Sequence, residues 1–275
     1  MKVLVIGEIG INHNGSIDIA KEMIEKATKA GCDVVKFQKR TVEDVYSKEF
    51  LDSYRESPWG TTQREQKEGL EFSEEEYCLI DEYCKKCGIP WFASAWDMKS
   101  LDFLRKFNLP YNKIASAMLN NIVFVEKVAK EGKKTFISTG MSTLEEIARA
   151  VEVFRAYNCP FELLHCNSSY PADESELNIS VMETLKTEFF CDVGYSGHER
   201  GFFPTLCAVA RGATVVERHL TLDKTMYGSD QKASIDMEEL AEMVRQIRRI
   251  EIIVGDGKKC VMPSEIPIRQ KLRGV

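Results

Sequence analysis

Eight short apolar, β-branched runs in this 275-residue chain each end in, or are followed at once by, a side chain that can do chemistry. The series is Glu8 with Asn12-His13-Asn14; Lys36 and Gln38; Ser94; Lys113 and Ser116; Ser138 and Thr139; His165; Ser196 and His198; Glu217 and His219. All four histidines belong to it, and one or two could be hydrogen-bonded core residues. His198 and His219 close neighbouring runs, so their neutral imidazoles could meet on one divalent ion, with acid–base work as the other use of the pair. Glu8 and Glu217 add carboxylates able to ligate, orient a histidine or move protons. Lys36 and Lys113 end apolar runs, where an unpaired ammonium is costly, so each needs a bound anion or a salt bridge to a carboxylate on the same rim. The hydroxyls of Ser94, Ser116, Ser138 and Ser196 favour the anion, because a phosphate or phosphate ester suits two point charges ringed by donors. A Schiff-base lysine is the competing use. Cys166 directly follows His165, and adjacent strand residues face opposite ways, which argues against a Cys–His nucleophile pair. Trp59, Trp91 and Trp96 could stack on a sugar, although Trp91, between Pro90 and Phe92 at a strand start, reads as core.

Groups this far apart in sequence meet only if a repeated element brings them to one rim. The apolar runs, read as strands, span 3–7, 34–38, 91–94, 111–115, 135–138, 161–165, 192–195 and 214–219. Amphipathic stretches separate them. The first carries Ile19, Ala20, Met23, Ile24 and Ala27 on one face, and the last carries Leu240, Met243, Val244, Ile247 and Ile250. Ser73-Glu74-Glu75-Glu76 and Ser142-Thr143-Leu144-Glu145-Glu146 read as helix starts, and Gly31 and Gly88 as helix stops. Strand–helix alternation calls for a parallel sheet, and eight units of about 34 residues exceed the roughly 30 that one βα crossover needs. The expectation is α/β, a closed (β/α)8 barrel in a single domain. An open doubly wound sheet is the second choice, but no GxGxxG turn follows the first strand. In a barrel the active site stands at the C-terminal ends of the strands, where the polar series lies. The stretch 39–72 reads as a long irregular loop over that face.

Composition narrows the function classes. Hydrophobic residues make up 44% and charged residues 29%, as in ordinary folded proteins, and the net charge of −6 without a basic run leaves nucleic acid and anionic membranes as poor partners. The apolar N-terminus is too short for a signal peptide, so the expected compartment is the cytoplasm. Nine scattered cysteines read as free thiols, and the single Cys84-Lys85-Lys86-Cys87 pair lies in a helical pattern without a second pair to complete a zinc site. The sequence does not set the oligomeric state; a homo-oligomer is compatible with it.

Taken together, Gly7-Glu8-Ile9-Gly10-Ile11-Asn12-His13-Asn14-Gly15-Ser16, Val35-Lys36-Phe37-Gln38, Lys113-Ile114-Ala115-Ser116, Ser138-Thr139-Gly140-Met141, Leu164-His165-Cys166, Ser196-Gly197-His198 and Glu217-Arg218-His219 resemble the sialic acid synthase family, with its legionaminate, pseudaminate and spore-coat polysaccharide relatives. The likeness runs in order from about Val3 to Gly257. It implies condensation of phosphoenolpyruvate with an open-chain aldose, giving a 2-keto-3-deoxy sugar acid and phosphate. By resemblance, Lys36, Ser94, Lys113, Ser116, Ser138 and Ser196 would hold phosphoenolpyruvate, and His198 and His219 would hold Mn2+ or Mg2+. Glu8 and Glu217 would act as acid and base, and Gln38, Tyr170 and Asp230 would bind the sugar hydroxyls.

Three features depart from the family pattern. Ala93-Ser94-Ala95-Trp96 stands where the family has Ser-Thr-Pro-Phe, and Asn167-Ser168-Ser169-Tyr170-Pro171 puts Ser168 where a phosphate-contacting Asn is expected. No C-terminal antifreeze-like domain, which in the family delivers an arginine to the partner's sugar, is expected within these residues. Two other functions use the same groups: a metal-dependent aldolase or sugar-phosphate epimerase, and a non-catalytic sugar-phosphate binding protein.

Overall fold

A computed structural model describes residues 2–274. Ten strands are present among them: β1 Leu4–Gly10, β2 Val34–Lys39, β3 Tyr54–Ser57, β4 Gly60–Thr62, β5 Trp91–Ala95, β6 Asn112–Ile114, β7 Thr135–Ser138, β8 Phe161–His165, β9 Val193–Gly197 and β10 Val215–His219. Eight of them close into a parallel barrel in the order β1-β10-β9-β8-β7-β6-β5-β2, as a (β/α)8 fold requires. The eight expected strands are these eight: β7 and β8 have the expected ends, and the other six are shifted by one to three residues at one end or both. The largest shift is in β1, which runs on to Gly10 and so places Glu8 within the strand.

Alternation along each strand builds the barrel interior in two storeys. Ile6, Val34, Phe92, Tyr111, Phe136 and Val215 lie two residues before Glu8, Lys36, Ser94, Lys113, Ser138 and Glu217, and therefore on the same face. The lower storey is an apolar plug in which Phe92, Tyr111 and Phe136 pack with ring centres 5.1–6.0 Å apart. The upper storey carries the polar groups, and the register puts Glu8 opposite both Lys36 and His219, Ser94 opposite Lys113, and Glu217 opposite Ser196. Gly194 belongs to the lower storey. A Cβ there would stand 2.3 Å from Val215 Cγ1 and 2.4 Å from the Val215 carbonyl oxygen, and the carbonyl cannot move aside without breaking the ladder. Gly194→Ala is therefore expected to cost about 2–3 kcal/mol, the upper part of the overpacking range, read as a lowered thermal midpoint; an unchanged midpoint would show that the plug can relax.

Helices wrap the barrel through the stripes expected of them. Helix Ile17–Ala30 buries Ala20, Met23, Ile24 and Ala27, starts on the Ser16 hydroxyl and stops at Gly31 in the left-handed conformation. Helix Glu74–Cys87 opens with a Ser73/Glu76 capping box and stops at Gly88, and helix Met237–Val254 buries Leu240, Met243, Val244 and Ile247. Cys84 faces the core with its thiol pushed up by burial, and all nine cysteines are free. No helix among the described residues is long and apolar enough to cross a membrane.

The stretch 39–72 corrects the reading of an irregular loop. It folds into helices Val42–Val45, Lys48–Leu51 and Gln63–Gly69 and the β3–β4 hairpin. Its 4-residue helices are too short to show a period, so the sequence pattern missed them. The segment is pinned to the barrel where a Cβ on Gly69 would fall 2.2 Å from the Trp59 indole and one on Gly15, at φ +67°, would fall 2.1 Å from the Gly69 carbonyl oxygen. On the other side Trp59 meets Tyr227, in the loop after β10, edge to face at 5.9 Å.

Candidate active site

The upper storey opens into a cavity of about 170 Å³ at the C-terminal ends of the strands. Its wall contains Glu8, Lys36, Gln38, Ser94, Lys113, Ser116, Ser138, Tyr170, Ser196, His198, Glu217 and His219, so all but one of the residues to which the family resemblance gives a role converge here, whereas Asn12, His13, Asn14, Thr139 and His165 of the strand-end series do not line it. The exception is Asp230, which stands behind the wall with Oδ2 3.7 Å from His219 Nδ1.

Charge in the cavity is organised around Glu217 Oε1. This one oxygen lies 3.3 Å from Lys113 Nζ and 3.4 Å from Lys36 Nζ, and accepts from Ser196 Oγ at 3.3 Å. Lys36 has a second carboxylate, Glu8 Oε2 at 2.9 Å, and donates to Ser94 Oγ at 3.1 Å. Lys113 instead donates to Ser138 Oγ at 2.7 Å. Burial pushes the Glu217 carboxyl up, but Lys113 and Lys36, with the two histidines behind them, outweigh it and hold the group well below the usual carboxylate range. Lys36 is raised, because Glu217 and Glu8 overcome its own burial penalty. Lys113 comes out lowered: burial dominates, and the Glu217 carboxylate it shares with Lys36 does not make up the difference. Both lysines are thus paired within the rim, and Lys113 is the one short of negative charge.

The four histidines divide into two kinds. His13 stacks on Phe72 at 4.1 Å and accepts the Gly15 N–H, and His165 Nε2 reaches the Leu177 carbonyl at 2.7 Å. Neither lines the cavity, and burial lowers both pKa values, that of His13 to about 3. Cys166 turns the other way from His165, toward Ser116 Oγ at 3.3 Å, as strand alternation requires. His198 and His219 do line the cavity, with ring centres 5.5 Å apart. Burial, then the neighbouring His219, brings His198 down to about 3, so it is neutral. Its Nδ1 faces the Asn167 carbonyl, which can only accept, leaving the Nε2 lone pair turned to the Tyr170 hydroxyl at 2.9 Å. A backbone carbonyl behind one ring nitrogen and a lone pair on the other turned into the cavity is how a metal-binding histidine is oriented, with the Tyr170 hydroxyl on that lone pair here. His219 Nδ1 is buried without a hydrogen-bond partner, as is Glu217 Oε2. These two histidines fit a divalent ion, although no group of three or more His, Cys, Asp or Glu able to hold one occurs among the described residues.

Sequence reasoning overlooked Met141, at φ +61° on the cavity wall, and the buried pair Arg218–Glu199. The signal for the pair was present: an arginine between two inward residues of β10 must point outward into the helix layer. Of the three tryptophans, Trp96 lines the cavity and carries the Arg40 guanidinium 4.3 Å from its ring centre. Ser168, from the second departure, also lines the cavity.

A parallel barrel that gathers two lysines, two glutamates and two histidines at one buried rim defines a barrel enzyme of small anionic substrates. The chain belongs to the NeuB family, which it matches over residues 23–259. It is 39% identical to the N-acetylneuraminate-9-phosphate synthase of Homo sapiens over 98% of this chain and 76% of that protein. It is also 39% identical to the N,N'-diacetyllegionaminic acid synthase of Campylobacter jejuni, over 96% and 81%. The crystal structure of the sialic acid synthetase of Leptospira borgpetersenii, in complex with citrate, superimposes with a TM-score of 0.89 at 34% identity, covering 99% of this chain and 93% of that one. The chain is therefore a sialic acid synthase-type enzyme.

Proposed function

We propose that this enzyme condenses phosphoenolpyruvate with an open-chain amino or deoxy hexose to give a 2-keto-3-deoxy sugar acid and orthophosphate, in the cytoplasm. The observation that carries the reading is Lys113: a buried ammonium that shares one carboxylate oxygen with Lys36 and otherwise meets only the Ser138 hydroxyl suits a substrate phosphate. Lys36 and Lys113 hold the phosphate and carboxylate of phosphoenolpyruvate, and Ser94, Ser116, Ser138 and Ser196 orient its oxygens. Carbon 3 of phosphoenolpyruvate bonds to the aldehyde carbon, water adds at carbon 2, and the carbon 2–oxygen bond to phosphate then breaks. Glu8 and Glu217 act as acid and base, one giving the aldehyde oxygen its proton and the other taking a proton from the water. Gln38, which donates to Glu8 Oε1 at 2.7 Å, bridges that carboxylate to the sugar side, with Tyr170 and Asp230 beyond it. His198 and His219 would hold Mn2+ or Mg2+, which would supply Lewis-acid polarisation of a carbonyl when bound.

The test is orthophosphate release from phosphoenolpyruvate with and without an aldose. Release that requires the aldose is expected; release without it, or none with any aldose, refutes the reading. Exhaustive chelation is expected to abolish turnover and Mn2+ to restore it, and full activity after chelation would remove the metal from the site.

A further inference from the structure

The condensation engages only the aldehyde end of the acceptor, so the rest of the sugar extends toward the cavity mouth. Outside the cavity wall, next to Gln38 and Trp96, the segment 39–72 presents three cations, each in contact with an aromatic side chain. Arg40 lies on Trp96 and donates to Gln38 Oε1, both cavity residues. Its side chain is 10% exposed, yet Nε has no hydrogen-bond partner, and its one carboxylate, Glu71 at 3.7 Å, is already taken by Lys39 at 2.8 Å. Lys67 Nζ stands 5.2 Å from the centre of the Tyr46 ring, and Arg55 Nε donates to the Tyr227 hydroxyl at 3.4 Å. Neither is ion-paired within 4.0 Å to another described residue.

The three are close enough to oppose one another. Burial first, then Arg40 and Arg55, bring Lys67 down to about 8, against the weaker pull of Asp230. Three partly buried like charges, opposed only by the weaker pull of Asp230 and a Glu71 already shared with Lys39, are unfavourable unless a ligand supplies the counter-charge. Two guanidiniums and an ammonium match the oxygens of a phosphomonoester, which guanidinium forks bind in pairs.

We propose that Arg40, Arg55 and Lys67 form a subsite for an anionic group at the end of the acceptor remote from its aldehyde, so that the acceptor is a terminal phosphate ester of the sugar. The inference rests on the condensation reading and deepens it. Likeness alone does not decide the point, because the two curated relatives differ in it: one is named for a 9-phosphate product and the other is not.

The experiment compares N-acetylmannosamine with its 6-phosphate, and mannose with mannose 6-phosphate, as acceptors in the orthophosphate-release assay. The 6-phosphates are expected to be favoured in kcat/KM by about a hundredfold, and Lys67→Met and Arg55→Met each to cut that preference about tenfold, the size of one charge-assisted contact. The KM for phosphoenolpyruvate and the rate with neutral sugar should hold in both variants. Equal use of neutral and phosphorylated sugars, or variants that depress both alike, would overturn the subsite while leaving the condensation intact. If no aldose supports release, the condensation reading fails instead, and calorimetric binding of the same sugars still decides: tighter 6-phosphate binding that is lost in Lys67→Met supports the subsite, and equal binding overturns it.

Discussion

Replacing Arg218 by methionine is expected to destabilise the fold by roughly 3–5 kcal/mol, the cost of leaving one partner of a buried ion pair alone. Arg218 and Glu199 are both fully buried. The guanidinium pairs with the Glu199 carboxylate, donates to the Glu199 carbonyl at 2.7 Å and reaches Thr205 Oγ1 at 3.1 Å. Tyr195 also donates to Glu199 at 2.9 Å, so the carboxylate knits β9, β10 and the helix Phe203–Ala210 together. Methionine removes the charge but keeps much of the volume, and Glu199 must then stay ionised without a counter-charge or take up a proton. Denaturant midpoints at constant m-value measure the loss, and a cost under about 1 kcal/mol would mean water reaches Glu199. The double variant Arg218→Met/Glu199→Leu is expected to recover a large part of the stability, because a buried pair replaced by apolar groups is often neutral. Single-variant activity should fall as well, since Glu199 follows His198 directly and its displacement moves that imidazole.

How much of this site the sequence discloses depends on the distance over which each feature is encoded. Strand and helix periods are local, so the alternation that puts Phe136 and Ser138 on one face, or Met23 and Ala27 on one helix stripe, is legible from neighbouring residues. The closing of eight strands turns that local information into a ring, and a chemical residue at each strand end then reads as one site. What the sequence does not show is which way a rim residue resolves. His13 and His165 look like His198 and His219 until Phe72 and the Leu177 carbonyl arrive from elsewhere in the chain to occupy them. Lys36 and Lys113 look alike until the barrel register gives the first two carboxylates and the second a share of one. The segment 39–72 is the least legible, because its short helices and hairpin are held by docking, as at Gly15 and Gly69, and not by a repeated pattern. Asp230 matches the family's sugar contacts in sequence, yet stands outside the cavity wall, 3.7 Å from His219.

Glu217→Gln is expected to lower kcat by about 10³-fold, within the range that general acid–base groups supply, with a smaller change in the KM for phosphoenolpyruvate. The two carboxylates are not equivalent. Glu8 faces one ammonium, Lys36, and is held from behind by Gln38. Glu217 faces both ammoniums and Ser196 through Oε1, while its Oε2 is buried and unpartnered, so it is the carboxylate with an oxygen left over for substrate or water. Glutamine keeps the size and can still accept from Lys113 through its amide oxygen, but it cannot take a proton and it leaves two buried ammoniums with only Glu8 between them. A phosphoenolpyruvate phosphate can replace the lost charge next to Lys113, so substrate binding should survive better than turnover, and bound phosphoenolpyruvate should raise the variant's thermal midpoint more than the wild type's. A fall in phosphoenolpyruvate affinity equal to the fall in kcat would instead make Glu217 a brace for the lysines and shift the proton-handling role to Glu8. The ratio of the two effects therefore decides whether the shared carboxylate is there for chemistry or for charge balance.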